Sequence, residues 1–162
     1  MKKRKLILMR HAQAQLERFG HNDRERAITM AGMHELDAIR SKLQPHLAGI
    51  SLIFCSNAKR ARQTLEGIKP LIPTTAQIIY KDEFYQASSH VLWARLQEIN
   101  ASHESVMIVA HNPGLTDFVQ KIESEISFKE FPTCGVAICE GAFDGWYEAS
   151  AHQFKLIELI KA

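Results

Sequence analysis

Short apolar runs alternate along the chain with longer segments in which apolar residues recur every three or four positions. Four runs have the length and composition of buried strands, and they span residues 5–9, 50–55, 76–80 and 105–110. The segment after the first run is typical of an amphipathic helix capped by Thr29, with apolar residues at Met30, Met33, Leu36, Ile39, Leu43 and Leu47. This alternation predicts an α/β fold, a three-layer α/β/α sandwich with a central, largely parallel sheet.

Three further helices are predicted after the later apolar runs. The second helix is expected from Asn57, and the third is expected to begin at Ser88 or Ser89. The fourth is predicted with Asn112 as its N-cap and Pro113 as its first residue, because both residue types are favoured at those positions.

The C-terminal part of the chain departs from this alternation. The segments "GVAICEG" (135–141) and "HQFKLIEL" (152–159) lie on either side of Asp144-Gly145, a dipeptide that favours a turn. They predict two late strands in a hairpin-like arrangement. The chain has 162 residues without a linker or an internal repeat, and one domain over residues 1–162 is expected.

Charge and composition narrow the classes of partner. The net charge is only +2, so a nucleic-acid partner is not expected. The basic run "KKRK" (2–5) is interpreted as a solvated flank before the first strand. Only four apolar residues separate this run from Arg10, and no run approaches the ~20 apolar residues of a membrane span. The three cysteines form no CxxC pair, and a cytoplasmic protein without a membrane partner is expected.

Polar side chains follow the predicted strands at the edge of the sheet where α/β proteins bind ligands. Arg10 and His11 follow the first strand, and Arg60 lies in the helix after the second. Glu83 follows the third strand and His111 follows the fourth. Each residue alone has an ordinary structural explanation, such as a buried histidine or a solvated helix face. Together they predict a site for a phosphoryl group, because arginine forks and helix N-termini both favour phosphate oxygens.

The same residues lie in motifs that resemble those of the histidine phosphatase superfamily, also called the phosphoglycerate mutase-like fold, and most closely its SixA-type phosphohistidine phosphatases. The motifs follow the family's order over nearly the whole chain, as "LMRHAQA" (8–14), "AITMAG" (27–32), "CSNAKRARQT" (55–64), "DEFYQA" (82–87), "VAHNPGL" (109–115) and "FPTCGVAI" (131–138). The resemblance implies that His11 is the nucleophile and forms a phosphohistidine intermediate that water hydrolyses. It also implies that Arg10, Arg60 and His111 bind the phosphoryl oxygens.

Other positions carry expectations from this resemblance. Arg60 is assigned to the site in preference to Arg62 because it fills the family's "RA" position. Glu83 lies near the position where mutases of the superfamily place a proton-donating glutamate, so it is the candidate general acid. Arg26, in the loop "GHNDRERAIT", is a further candidate for phosphate binding. Ala12 stands where the family usually has glycine, and alanine fits there unless the residue needs a positive φ.

The spacing of the site residues bears on the substrate. Only ~50 residues separate His11 from Arg60, which leaves little chain for a lid. An open site suits a phosphorylated side chain on another protein. The resemblance implies phosphohistidine on a phosphotransfer or phosphocarrier domain, with inorganic phosphate as the product. The chemistry requires no metal and no other cofactor.

Three alternatives stay open at this stage. The first is a phosphomonoesterase that acts on a small metabolite with the same nucleophile. The second is a non-catalytic module that binds phosphorylated proteins. The third is a metal site among the eight histidines, although these show no ligand spacing such as HExxH.

Overall fold

The computed structural model describes residues 1–126 and 129–162. Its strands and helices, in chain order, are β1 (Lys2–Arg10), α1 (Met30–Leu47), β2 (Leu52–Ser56), α2 (Lys59–Ile68), β3 (Gln77–Lys81), α3 (Ser89–Leu96), β4 (Ser105–Ala110), α4 (Gly114–Ile122), β5 (Val136–Phe143) and β6 (Phe154–Ile160). Each predicted strand and helix is present, with ends shifted by a few residues. Among the described residues, no helix combines the length and the apolar character that crossing a membrane requires.

The six strands form one sheet in the order β3-β2-β4-β1-β5-β6. The first four strands of this order are mutually parallel, whereas β5 is antiparallel to both of its neighbours. The predicted, largely parallel sheet is therefore confirmed, and so is the antiparallel pairing of the two late strands. Their connection is residues 144–153, which contain two single turns of 3-10 helix rather than a tight turn at Asp144-Gly145.

Helices cover both faces of the sheet. Along β1, Leu6 and Leu8 join an apolar core with α3 and α4, while Ile7 and Met9 join a second core with α1 and α2. All four side chains are fully buried. Because the parallel strands are covered on both faces, the polar residues that follow them gather at the carboxyl edge of the sheet.

The basic run at the start of the chain is part of β1 and not a flank. Arg4 is fully buried, and its guanidinium donates to the carbonyl oxygens of Ala101 and His103 at 2.7 and 3.0 Å. It also lies about 6 Å from the ring centres of Phe143 and Trp146. The expected solvation holds for Lys2 and Lys3, which are exposed, but is wrong for Arg4, because backbone carbonyls from distant segments satisfy its charge.

The first turn of α1 also differs from its apolar pattern. Met30 and Met33 are 68% and 52% exposed, so they do not belong to the core. Gly32 takes the inward position, because a Cβ there would lie only 2.3 Å from the carbonyl oxygen of Gln13. The first turn of α1 thus packs against the backbone that follows β1, with Gly32 at the contact, and both methionines face outward.

The start of α4 lies one residue later than predicted. Its N-cap is Pro113 and not Asn112. The Asn112 side chain accepts a hydrogen bond from Thr116 Oγ1 at 2.9 Å and donates one to the carbonyl oxygen of Phe131 at 2.7 Å. Asn112 therefore connects the start of α4 to the segment that precedes β5, directly beside His111.

Candidate active site

The carboxyl ends of three neighbouring strands bring the candidate histidines together. β4 lies between β1 and β2, with Ala110 paired to Arg10 and Val109 paired to Cys55. His11 and His111 are the next residues along β1 and β4, and their ring centres are 5.1 Å apart. The sheet order therefore places two histidines side by side, although they are 100 positions apart in the sequence.

His11 is buried and oriented by its own backbone. Its side chain is 7% exposed, and Nδ1 lies 2.8 Å from the carbonyl oxygen of Ala12. A carbonyl oxygen only accepts, so Nδ1 carries the proton and Nε2 of the neutral ring has the free lone pair. Burial lowers the pKa of His11 from 6.5 to about 4, and the charges of Arg60, Arg10 and Arg26 add to this effect against the opposing Ala12 bond. At neutral pH the ring is therefore uncharged and has an unprotonated Nε2.

His111 is held by Ser56 at the end of β2. Its Nε2 lies 2.6 Å from Ser56 Oγ, which itself accepts a bond from the amide of Ala58 at 3.3 Å. When Ser56 donates its hydroxyl hydrogen to Nε2, the ring proton of neutral His111 lies on Nδ1. Burial lowers the pKa of His111 to about 3, with neighbouring His11 and Arg60 as further causes.

The two arginines of the cluster are anchored through their terminal nitrogens. Arg10 donates to the carbonyl oxygen of Phe131 at 2.9 Å, and its nearest carboxylate is Glu130 at 3.7 Å. Arg60 is 3% exposed and donates to the backbone oxygen of Asp23 at 2.9 Å and to its Oδ2 at 3.2 Å. These bonds fix the direction of each guanidinium and leave its Nε for another acceptor.

Unpaired buried donors are concentrated in this cluster. Within residues 1–126 and 129–162, four buried side-chain polar atoms have no hydrogen-bond partner, and three of them are Arg10 Nε, Arg60 Nε and His111 Nδ1. Buried polar groups are nearly always paired, because an unpaired one costs stability. Three such donors around a neutral histidine therefore form a site for an anion with several oxygens, and phosphate is such an anion.

Asp23 is an organising residue that the sequence did not single out. Its carboxylate and backbone accept the bonds from Arg60, and its Oδ1 also accepts a bond from Arg26 Nε at 2.7 Å. Tyr85 donates its hydroxyl hydrogen to Oδ2. Partial burial raises the pKa of Asp23, but the bonds from Tyr85 and Arg26 and the charge of Arg60 outweigh it, so the pKa falls to about 2. The ionised carboxylate holds Arg60 in place.

Arg26 lies at the border of the cluster. Besides its bond to Asp23, it donates to the carbonyl oxygen of Gln15 at 2.7 Å. Its charge contributes to the lowered pKa of His11. Arg26 is therefore close enough to act on His11 electrostatically, while its nitrogens hold the surrounding loop together.

Known proteins share this fold. No family model matches the chain. An uncharacterised protein of Mycobacterium leprae is 26% identical over 148 residues, which cover 80% of this chain and 85% of that protein. A structure from Agrobacterium tumefaciens, provisionally assigned as the phosphohistidine phosphatase SixA, has a TM-score of 0.82 at 26% identity and covers 98% of both chains. A structure from Nakamurella multipartitia with the same provisional assignment has a TM-score of 0.83 at 24% identity, and the match covers 99% of this chain and 96% of that chain.

A more distant structure completes the comparison. Phosphoglycerate mutase from Plasmodium falciparum has a TM-score of 0.65 at 18% identity, over 98% of this chain and 91% of that chain. The chain has the histidine phosphatase fold. The predicted resemblance to the histidine phosphatase superfamily, and within it to SixA-type proteins, is confirmed.

Ala12 fits beside the candidate site without backbone strain. Among the described residues, the only non-glycine residues with positive φ are Gln86 and Cys134, so Ala12 has an ordinary backbone conformation. Its amide donates to Thr64 Oγ1 at 2.9 Å, and the Thr64 hydroxyl donates to the carbonyl oxygen of Arg60 at 2.7 Å. Ala12 therefore helps to connect the nucleophile segment to α2, and a glycine is not needed here.

The structure does not bring Glu83 into the cluster. The Glu83 carboxylate lies 3.0 Å from Arg95 Nε and 3.7 Å from Lys81 Nζ, in a groove beside β3. In the single turn Asp82–Phe84, Phe84 enters the apolar core and Glu83 is directed sideways. Two residues later, Tyr85 reaches the site instead, with its ring centre 5.6 Å from that of His111. The geometry therefore argues against Glu83 as the general acid.

Arg62 points away from the cluster, as its spacing from Arg60 predicts. It donates to Asn57 Oδ1 at 2.6 Å, and its guanidinium lies 4.2 Å from the ring centre of Tyr80. Arg62 is exposed, whereas Arg60 is buried. The two arginines thus form a matched pair for mutational tests.

The two histidines are expected to stay neutral well below the usual histidine pKa. A titration by NMR of ring nitrogens should give an apparent pKa of about 4 for His11 and about 3 for His111. Above these values the spectra should show a proton on Nδ1 and none on Nε2 in both rings. A His11 ring whose pKa is not lowered, or that carries its proton on Nε2, would contradict this geometry.

The same shifts predict how stability depends on pH. His11 has a folded pKa of about 4 against an ordinary value of 6.5, so the unfolded chain binds protons first as the pH falls. The contribution of neutral His11 to stability is complete above pH 6.5 and decreases between pH 6.5 and about 4. Urea unfolding at several pH values should show this decrease, and His11→Ala should reduce it. An unchanged pH dependence in that variant would count against a neutral, buried His11.

Proposed function

We propose that this protein is a phosphatase that removes the phosphoryl group from phosphohistidine on another protein. The likeness to the Agrobacterium structure supports a phosphatase of the histidine phosphatase superfamily. The finer proposal names His11 as the group that receives the phosphoryl group. It rests on the geometry and the charges of the described site.

One observation carries this proposal. Arg10 Nε, Arg60 Nε and His111 Nδ1 are buried without a hydrogen-bond partner in the described chain, and His11 beside them is neutral with a free Nε2. Phosphoryl transfer requires a positioned nucleophile and positive groups around the equatorial oxygens, more than it requires additional covalent chemistry. The cluster supplies both requirements.

The reaction proceeds in two steps at His11. In the first step, the Nε2 lone pair attacks phosphorus and the bond from phosphorus to the substrate imidazole breaks. The other nitrogen of that imidazole already carries a proton, so the ring leaves as neutral imidazole with the electron pair on the released nitrogen. The attacking ring then carries a positive charge, which the bond from Nδ1–H to the carbonyl oxygen of Ala12 stabilises. In the second step, a water oxygen attacks phosphorus, the bond to Nε2 breaks, and inorganic phosphate leaves with neutral His11 restored.

The ionisation and placement of the two nearby carboxyl groups favour an imidazole as the leaving group. Asp23 has a pKa of about 2 and is ionised at neutral pH, and Glu83 pairs with Arg95 outside the cluster. Neither carboxyl group is placed to protonate an alkoxide, which is a strongly basic leaving group. Imidazole has a pKa of about 6.5 in histidine and takes its proton readily near neutral pH. This difference favours a phosphorus–nitrogen bond over a phosphate ester.

A substrate panel tests this proposal against its alternatives. The panel contains a phosphocarrier protein phosphorylated on histidine, free phosphohistidine, phosphoramidate, p-nitrophenyl phosphate and a sugar phosphate. We expect the highest kcat/KM for the phosphohistidine protein and the lowest value for the sugar phosphate, whose leaving group is an alkoxide. A kcat/KM for the sugar phosphate above that for the phosphohistidine protein would favour a phosphomonoesterase. Tight binding of the phosphoprotein without release of phosphate would favour a binding module.

A further inference from the structure

A loop of two distinct faces borders the candidate active site. Its base is a short two-stranded ladder in which Ala14 pairs with Ile28, with bonds from the Gln15 amide to the Ala27 oxygen at 2.8 Å and from the Thr29 amide to the Gln13 oxygen at 2.9 Å. Residues 16–26 project from this ladder and are called the rim loop below. Because His11 lies directly before the ladder, the rim loop stands beside the nucleophile.

The inner face of the rim loop is polar and is fixed to the site. Asp23 accepts the bonds from Arg60 and from Tyr85, and Arg26 bonds to Asp23. Asn22 caps the single turn Asp23–Glu25 through a bond from the Arg24 amide at 3.0 Å. These contacts hold the loop in one position relative to His11.

The outer face of the rim loop presents apolar side chains to solvent. Leu16 is 85% exposed, and Phe19 has the accessibility of a fully exposed residue. Phe19 is at the corner of a hydrogen-bonded turn in which the His21 amide donates to the Arg18 oxygen at 3.1 Å. Gly20, at the next position, has a φ of +79°, which this type of turn favours in glycine. The turn therefore holds the phenylalanine ring outward.

Exposed apolar side chains are concentrated in this part of the chain. Of the seven large apolar side chains that are exposed in the described structure, two lie in the rim loop and two, Met30 and Met33, follow it in the first turn of α1. Two of the others are Tyr147 and Ile157. Tyr147 follows β5, which ends on the side of the sheet opposite the carboxyl ends of the parallel strands, and Ile157 is on β6, the outermost strand. Leu16 also lines a cavity of about 160 Å³ within the loop, together with Arg18, His21 and Arg26. Aromatic residues and methionine are enriched at protein interfaces, so exposed Phe19, Met30 and Met33 in this region favour a protein contact.

We propose that Leu16 and Phe19 form the docking surface for the protein that carries the phosphohistidine. The inference rests on the proposed function and specifies how this substrate is recognised. A protein whose phosphorylated side chain reaches His11 must pass the rim loop, and the outer face then contacts the surface around that side chain. The partner is accordingly expected to have an apolar patch next to its phosphorylated histidine. A small phosphorylated molecule that fits inside the cluster does not reach Phe19.

The test compares two double variants on two substrates with the same bond. Leu16→Ser with Phe19→Ser removes the docking surface, and Ile157→Ser with Tyr147→Ser removes another exposed aliphatic and aromatic pair elsewhere. The substrates are a phosphocarrier protein phosphorylated on histidine and phosphoramidate, which lacks a protein surface. The first variant should raise KM for the phosphoprotein about tenfold or more, the loss expected for two interface side chains. Its kcat/KM for phosphoramidate should stay within about twofold of wild type, as for a surface substitution remote from the chemistry.

The outcomes separate this inference from the proposed function. An unchanged KM for the phosphoprotein in the rim-loop variant, or an equal rise in the control variant, would overturn the inference alone. Equal losses on phosphoramidate and phosphoprotein would also overturn it, because they indicate damage to the site and not to docking. A wild-type dimer that dissociates in the rim-loop variant, measured by light scattering, would assign the surface to a second copy and would refute docking. A wild-type protein that releases no phosphate from the phosphoprotein would refute the proposed function and the inference together.

Discussion

His11→Ala is expected to abolish hydrolysis of phosphohistidine, with a loss in kcat of about 10⁴-fold or more, the scale seen when an enzyme loses its nucleophile. The reason is that Nε2 of His11 carries a free lone pair, whereas Nε2 of His111 is bonded to Ser56. Phosphate release measured with the phosphocarrier protein gives the direct comparison. Circular dichroism and thermal unfolding check that the variant keeps its fold.

His34→Ala is the matched control for this loss. His34 is exposed on α1 and takes part in none of the cluster's contacts described above, so its removal should leave hydrolysis unchanged. Binding of phosphate should persist in His11→Ala, because the arginines and His111 remain. Full activity in His11→Ala would exclude His11 as the nucleophile.

Arg60→Ala is expected to lower kcat/KM by about 10² to 10³-fold, the effect of removing one buried donor to a developing charge. Arg62→Ala should change it by about twofold or less, as for a weak surface interaction. The two residues differ in burial and direction, since Arg60 is held by Asp23 inside the cluster and Arg62 stacks on Tyr80 outside it. Steady-state kinetics on phosphoramidate measures both variants with the same small substrate.

Arg60→Lys distinguishes the guanidinium geometry from its charge alone. Lysine keeps the positive charge but cannot bond Asp23 with two nitrogens and still offer a third, so intermediate activity is expected. Because Arg60 is buried and its removal breaks two bonds to Asp23, thermal unfolding of each variant accompanies the kinetics. Equal losses in Arg60→Ala and Arg62→Ala would show that the phosphate is bound elsewhere.

The strands and the residues at their ends are the part of the molecule that the sequence predicts best. Apolar runs bounded by polar residues are local signals, so each strand end could be located without knowing which strands pair. Parallel pairing then brings such ends to one edge, and this places His11 beside His111. The identity of the nucleophile came from the resemblance of its motif and not from this geometry.

The network around Arg60 could not be predicted, because its partners come from distant parts of the chain. Asp23 is in a polar loop with several other charged residues, and no local pattern marks it as the acceptor for Arg60 and Tyr85. Glu83 was a reasonable candidate from its position after β3. A single helical turn decides instead that Phe84 is buried and Tyr85 reaches the site. A shift of one residue in this turn changes which side chain faces the candidate site, and the sequence does not specify that position.

The exposure of individual side chains was predicted less well than the elements. Met30 and Met33 fit the apolar period of α1, but close contact between Gly32 and the Gln13 backbone turns them outward. Arg4 is in a basic run that suggests solvent, but carbonyl oxygens from two other segments enclose it. In both cases a backbone from elsewhere in the chain determines the outcome.

The most direct test of the central claim is to trap the phosphoryl group on the protein during turnover. The phosphocarrier protein, labelled with radioactive phosphate on histidine, is mixed with this protein and quenched within milliseconds in alkaline denaturant, which preserves phosphoramidate bonds. Peptide mapping should find the label on the peptide that contains His11, at Nε2, in wild type and in Arg62→Ala but not in His11→Ala. Release of phosphate with no labelled His11 peptide at any time, or a label on another residue, would contradict the mechanism.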